Sequence, residues 1–201
     1  MKILMLYTPR CGSTSILRYF KKIKPEFEII NQPWSKAISE LENRKQLKYS
    51  DIIKKNNIFV KSTINVIFEL KFSILNIKND FDKIIILDRK DTKEQLESYA
   101  WAEKHKSFLE SSKYLMDYNL DSNTYEICNN ILLREKTNIE FLKKELNAKL
   151  FYYEDLYYGD FKPILTELQL EYNQVYYNEY LNISNKYRIN NIDVKNHKSL
   201  I

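Results

Sequence analysis

Short, continuous apolar runs alternate along this chain with longer stretches whose apolar residues recur at helical spacing. The runs are Ile3 to Tyr7, Phe27 to Asn31, Asn57 to Ser62, Lys83 to Leu87 and Lys149 to Tyr153. Their length and lack of polar alternation predict strands of a parallel sheet covered on both faces. Between them, Ser13 to Lys22 carries Ile16, Leu17 and Phe20, a helical spacing. Ser35 is placed to cap a polar helix running to about Lys45, with a short helix near Asp51 to Lys55. Ile64 to Asn76, with Val66, Ile67, Leu70, Phe72, Ile74 and Leu75, reads as one buried helix. Thr92 to about Phe108 opens with two overlapping capping boxes, Asp91 with Glu94 and Thr92 with Gln95. After a polar, irregular stretch from Glu110 to Asp121, a long helix is predicted from about Thr124 to Leu146. Ile127, Ile131, Leu132, Ile139, Leu142 and Leu146 form its apolar side. A last helix lies near Pro163 to Leu168, and the tail beyond Tyr172 has no clean period.

Strands that alternate with helices and lack hairpin signals require crossover connections. The expected fold is therefore α/β, in three layers, with a central parallel sheet of about five strands flanked by helices. In such sheets ligands sit beyond the carboxyl ends of the strands. That rule gathers Thr8 to Thr14, Gln32 to Ser35, Lys61 to Thr63 and Asp88 to Asp91 at one edge. The 201 residues suffice for a full α/β core, so one domain spanning 1–201 is expected, with residues 173–201 a tail of uncertain order.

Lys and Arg outnumber Asp and Glu by 32 to 27. This balance suits an anionic ligand and falls short of the charge density of a nucleic-acid binder. The two cysteines, Cys11 and Cys128, make neither a disulfide framework nor a zinc spacing, and with two histidines no metal cluster is expected. A reducing cytoplasm is the expected setting. Pro9-Arg10 interrupts the first apolar run after about five residues, short of a signal peptide's 7 to 15, and no stretch approaches a membrane span. Richness in Lys, Ile and Asn points to an A/T-rich bacterial or viral genome.

The chain has only two glycines, and one lies in Thr8-Pro9-Arg10-Cys11-Gly12-Ser13-Thr14, between the first strand and the first helix. A tight turn opening a helix aims backbone N–H groups and the positive end of the helix dipole at one spot, which suits an anion such as phosphate. The nucleotide P-loop pattern G-x-x-x-x-G-K-[ST] fails, because Ser13 follows Gly12. A cysteine phosphatase loop needs five residues between Cys and Arg; Cys11 and Arg18 enclose six, which rotates Arg18 about 100° around the helix. TPRCGST instead resembles the P-[KR]-[ST]-G-[ST]-[ST] element of sulfotransferases that use the sulfate donor PAPS. That resemblance implies a P-loop-like fold and a donor 5′-phosphosulfate held by Arg10, Cys11, Gly12, Ser13, Thr14 and Ser15.

Leu87 to Glu103, LDRKDTKEQLESYAWAE, is similar to a second element of that family. Arg89 and Ser98 lie nine residues apart, and with Asp91, Gln95, Ala102 and Glu103 they follow the pattern of the bacterial trehalose and carbohydrate branch. The resemblance implies that Arg89 and Ser98 hold the donor's 3′-phosphate. A third, weaker likeness is the Y-E-D-L of Tyr153 to Leu156, which reads equally well as a strand end followed by a helix cap at Asp155. No basic C-terminal segment of the family is recognisable; Arg188 is a weak candidate.

By this resemblance the chain transfers a sulfuryl group to a hydroxyl of a small-molecule or carbohydrate acceptor and releases PAP, without a metal. Arg10 would stabilise charge on the leaving phosphate electrostatically, since Arg does not give up its proton near neutrality. Both positions where relatives carry a general base are changed: Gln32 stands in the Glu-Pro pair after strand two, and Thr63 follows Lys61-Ser62. Glu103 and His105, past Ser98 on the same helix, are the candidates that remain; otherwise the base lies in the stretch from Glu110 to Asp121 or the acceptor needs none. Two alternatives stay open: a protein that binds PAPS or PAP without turnover, and a phosphatase acting through Cys11.

Overall fold

The computed structural model describes residues 1–35, 45–104 and 121–179. Five strands, β1 (Lys2–Tyr7), β2 (Glu28–Asn31), β3 (Ile58–Thr63), β4 (Lys83–Asp88) and β5 (Lys149–Tyr152), form one sheet in the order β2-β3-β1-β4-β5, with every pairing parallel. The helices are α1 (Ser13–Ile23), α2 (Tyr49–Ile53), α3 (Asn65–Glu69), α4 (Ile74–Asp80), α5 (Thr92–Lys104), α6 (Ser122–Glu145), α7 (Tyr153–Tyr158) and α8 (Lys162–Leu168). Residues 174–179 are helical as well. The helix expected after Ser35, the end of the helix past Lys104, the irregular stretch expected from Glu110 as far as residue 120 and the tail beyond residue 179 lie outside the described residues.

The period of two along β1 divides its side chains between two cores. Ile3, Met5 and Tyr7 pack with Phe59, Ile85 and Leu87 against α1, α7 and α8. Leu4 and Leu6 pack with Ile58, Val60 and Ile86 against α2, α3, α4 and α6. The result is the three-layer α/β arrangement that continuous apolar strands demand. The connection after β1 leads outward toward β2, and the one after β4 leads the opposite way toward β5. Adjacent strands whose connections diverge open a crevice at their carboxyl ends, here between β1 and β4.

Two expected elements differ. The helix expected over Ile64 to Asn76 is two helices, because the chain turns at Lys71, whose φ is +52°. The Phe72 N–H donates to the Ile67 carbonyl at 3.0 Å and the Lys71 N–H to Phe68 at 3.1 Å, a Schellman ending with lysine where glycine is usual. Ser73 then caps α4 by accepting from the Asn76 N–H, and Leu75, expected in the core, is 65% exposed. On α6 the buried stripe is Cys128, Leu132, Glu135, Ile139 and Leu142, and Ile127 faces solvent. The stripe's spacing, alternately four and three residues, runs through a glutamate, which a search for apolar residues passes over.

With glycine nearly absent, three helix ends place Lys71, Asn147 and Gln169 in the left-handed region. A side chain there costs on the order of 1 kcal/mol. Lys71→Gly should therefore raise stability by about 0.5–1 kcal/mol despite glycine's extra chain entropy. That is roughly 1–4 °C in Tm by thermal unfolding, and an unchanged or lower Tm would contradict the strain argument.

Candidate functional site

The crevice is built on the turn after β1. Thr8 donates its N–H to Leu87 O at 3.1 Å, which holds the turn against β4. Arg10 (φ +63°) and Gly12 (φ +79°) both take left-handed backbone, and Gly12 caps α1 with no side-chain cap and no acidic residue in the first turn. No carboxylate of the first turn therefore offsets the positive end of α1, whose Ser13 N–H is met by the Cys11 sulfur. Glycine is needed at position 12 for a second reason: a Cβ there would lie 2.8 Å from the Tyr153 ring.

Three cations converge on this turn. Arg10 Nε donates to Ser98 Oγ at 2.9 Å, so the turn reaches α5 directly. Burial, and then the nearby Arg89 guanidinium, bring the Arg10 pKa down to about 10. Lys61, on β3, is buried; its Nζ donates to Thr14 Oγ1 at 2.9 Å and lies 4.7 Å over the Tyr7 ring. Burial lowers its pKa to about 8, and no carboxylate among the described residues pairs with it. Arg89 is buried at the end of β4, stacked 4.8 Å over the Tyr153 ring and ion-paired with Glu94 at 2.5 Å and Glu154 at 3.5 Å. Tyr153 therefore has Gly12 against it and the Arg89 guanidinium over its face.

The sequence-predicted residues are brought together, with partners other than those the motifs suggest. Ser98 accepts from Arg10, while Arg89 is held by Glu94 and Glu154. Of the two capping boxes, Asp91 accepts the Glu94 N–H at 2.8 Å. Gln95 leaves its box and donates to Thr8 Oγ1 at 2.8 Å and Pro9 O at 2.7 Å. The Tyr153 to Leu156 segment receives the turn after β4: Glu154 accepts the N–H groups of Lys90 and Asp91, and Asp155 pairs with Lys90. Ser13 and Ser15 are buried on α1, and Thr14 contacts Lys61. Glu103 is half-buried and close enough to Tyr99 to help push its phenol pKa up, whereas His105 lies outside the described residues.

Cys11 is 1% exposed, and burial pushes its thiol up to about 12. A nucleophilic cysteine needs the opposite, a thiolate near neutral pH. Gln32, with φ +45°, shares a side-chain hydrogen bond with Tyr7.

Glu135 belongs to the surroundings of the site and carries no motif, whereas Lys61 lies in the Lys61-Ser62-Thr63 segment after β3 and Tyr153 and Glu154 lie in the Y-E-D-L segment. Glu135, on α6, is 2% exposed; burial raises its pKa to about 8, against the opposing pull of the Asn65 N–H and of Arg134. It lines a cavity of about 360 Å³ together with Pro9, Gln32, Trp34, Thr63 and Tyr99. The available signal was a charged residue at a core position of a periodic stripe. No protein-family model, curated protein or solved structure matches this chain.

Two outcomes follow. Gly12→Ala combines a left-handed alanine with a ring contact and should cost about 1–3 kcal/mol in chemical denaturation; a neutral result would mean the turn can relax. For Glu135, the folded value of about 8 lies above the ordinary 4.5. The carboxyl's contribution to stability is full below pH 4.5 and is lost as pH rises toward 8. Glu135→Gln should thus match the parent near pH 4.5 and exceed its Tm by a growing margin as pH rises to 8, the shift corresponding to about 4 kcal/mol at most. A gain independent of pH would refute the burial argument.

Proposed function

We propose that this protein is a sulfotransferase that moves a sulfuryl group from PAPS to a hydroxyl of a small-molecule or carbohydrate acceptor and releases PAP. The observation that carries this reading is the convergence, in the crevice between β1 and β4, of Arg10, Lys61 and Arg89 on the start of α1, which has no acidic residue in its first turn. Two of the three have pKa values depressed by burial, a cost that a bound dianion would offset.

The turn from Arg10 to Ser15, with Lys61, would hold the donor's 5′ end. Sulfuryl transfer leaves negative charge on that phosphate, and preorganised cations in a partly dry site are suited to stabilising it. Arg89 and Ser98 would serve the 3′-phosphate. For that, Arg89 must exchange one carboxylate for phosphate oxygens. Glu94 is the partner able to yield, since its side chain is 35% exposed against 21% for Glu154, which also holds two backbone N–H groups. The buried, weakly acidic Cys11 speaks against the phosphatase reading. Cys11 and Cys128 are both buried and form no disulfide, in keeping with a reducing setting, and no described helix is long and apolar enough to cross a membrane.

Titration with PAP, followed by thermal unfolding, tests the reading. PAP should protect the parent, Arg89→Ala should lose about 2 kcal/mol or more of binding, and Glu94→Gln should bind more tightly than the parent by removing the competing carboxylate. Affinity should fall as pH rises through about 8, where Lys61 sheds its proton. No protection by PAP, or protection that survives Arg89→Ala unchanged, would end this reading.

A further inference from the structure

Arg89 is held by two carboxylates that meet it in different ways. Among the described residues the Glu94 side chain has no partner besides Arg89, whose Nη2 lies 2.5 Å from Glu94 Oε2. Glu154 engages the backbone beyond Arg89 more closely than the guanidinium itself. Its Oε2 accepts the Lys90 N–H at 2.9 Å and its Oε1 the Asp91 N–H at 3.1 Å. From Arg89 Nε it stands at 3.5 Å, long for a hydrogen bond, and that nitrogen has no hydrogen-bond partner among the described residues.

The two amides belong to the turn between β4 and α5, directly after Arg89. That turn, Arg89-Lys90-Asp91, contains neither glycine nor proline, and its backbone is fixed from outside. Lys136, from α6, donates to the Arg89 carbonyl at 2.6 Å, and Glu154, from α7, takes the next two N–H groups. Asp91 in turn caps α5, accepting the Glu94 N–H at 2.8 Å. Asp155 pairs with the Lys90 ammonium, so both acidic residues in the first turn of α7 meet the same segment. Tyr153, the residue before them, lies against Gly12 with the Arg89 guanidinium over its ring. Three consecutive residues of α7 thus register the turn after β4 against the turn after β1.

We infer that Glu154 is a positioning residue that sets the protein's preference for a nucleotide bearing a second phosphate, by fixing the backbone from which Arg89 reaches that phosphate. The inference rests on the proposed reading of Arg89 as the contact for the donor's 3′-phosphate. Glu94 and Glu154 then have opposite effects through the same cation. Glu94 competes with the incoming phosphate for the guanidinium. Glu154, equally negative, favours the phosphate, because without it two consecutive amides lose their acceptor and the segment carrying Arg89 is free to shift. Charge alone gives the other sign: removing either carboxylate would leave Arg89 the stronger anion binder. A glutamine at position 154 keeps the shape and can accept one of the two N–H groups, but its own NH₂ must then face the other.

The test is calorimetry on the full chain with PAP and with adenosine 5′-phosphate, which lacks the 3′-phosphate. The parent should bind PAP more tightly of the two, and Glu94→Gln should tighten PAP further. Glu154→Gln should weaken PAP by about tenfold and leave the affinity for adenosine 5′-phosphate within about twofold of the parent's. A residue that merely supports the fold would lower both affinities together, and one that acts only by charge would tighten PAP. Glu154→Asp keeps the charge but is one methylene too short to span both amides. It should also weaken PAP selectively, and it serves as the test where the glutamine variant does not fold. In the parent, hydrogen exchange at the Lys90 and Asp91 amides should be slow and stay slow with PAP bound. The inference is overturned if either Glu154 variant binds PAP as tightly as the parent or more tightly, if both nucleotides weaken in parallel, or if those two amides exchange at the rate of free ones. Failure of the donor reading looks different and takes the inference with it: the parent then binds PAP no better than adenosine 5′-phosphate, or Arg89→Ala keeps the full preference.

Discussion

The crevice depends on a buried polar knot at the ends of β1 and β4. Thr8 donates its hydroxyl to Asp88 at 2.7 Å, Gln95 donates to Thr8, and Lys136 reaches from α6 to both Asp88 oxygens, at 3.0 and 2.9 Å, and to the Arg89 carbonyl at 2.6 Å. Thr8, Asp88 and Gln95 are all nearly inaccessible. A network of this kind resists movement because shifting one member breaks buried hydrogen bonds of several others in a low-dielectric setting. It joins the turn carrying Arg10 to the strand end carrying Arg89, so the spacing of the two guanidiniums is set by the interior of the protein and not by surface loops.

Around that knot, charge is sorted by layer. Lys61, Arg10 and Arg89 lie toward α1 and α7, where Tyr153 separates Gly12 from Arg89. Glu135 lies across the sheet edge among α3 and α6. Burial drives both kinds of group toward neutrality, with Lys61 and Glu135 each brought to about 8 from opposite directions. Left-handed backbone at Arg10 and Gln32 sits at the mouths of these two regions, local strain that the surrounding packing maintains.

Much of the fold was legible in the residues alone. Continuous apolar runs such as Ile84 to Leu87 can satisfy burial only between two helical layers, and the polar, glycine-bearing turn at Thr8 to Thr14 could only be a strand-to-helix junction. That local chemistry determined the three-layer parallel sheet, the position of the glycine-bearing turn and the presence of Arg89 at the same edge. Burial and periodicity are near-neighbour properties, so they survive being read from one dimension.

Tertiary structure alone decided who faces whom. Nothing in the spacing of Arg89 and Ser98 reveals that Ser98 meets Arg10, or that Glu94 and Glu154 hold Arg89, because those pairings depend on how α5 and α7 dock. The split at Lys71 escaped for a related reason: a Schellman turn without glycine is stabilised by the docking of Phe72, not by its own sequence. Glu135 is the clearest case, since a carboxylate on an apolar stripe gains meaning only once α6 lies over β4 and brings it to a cavity shared with Trp34. Side-chain electrostatics is a function of distance in space, and chain order does not encode that distance until the layers have packed.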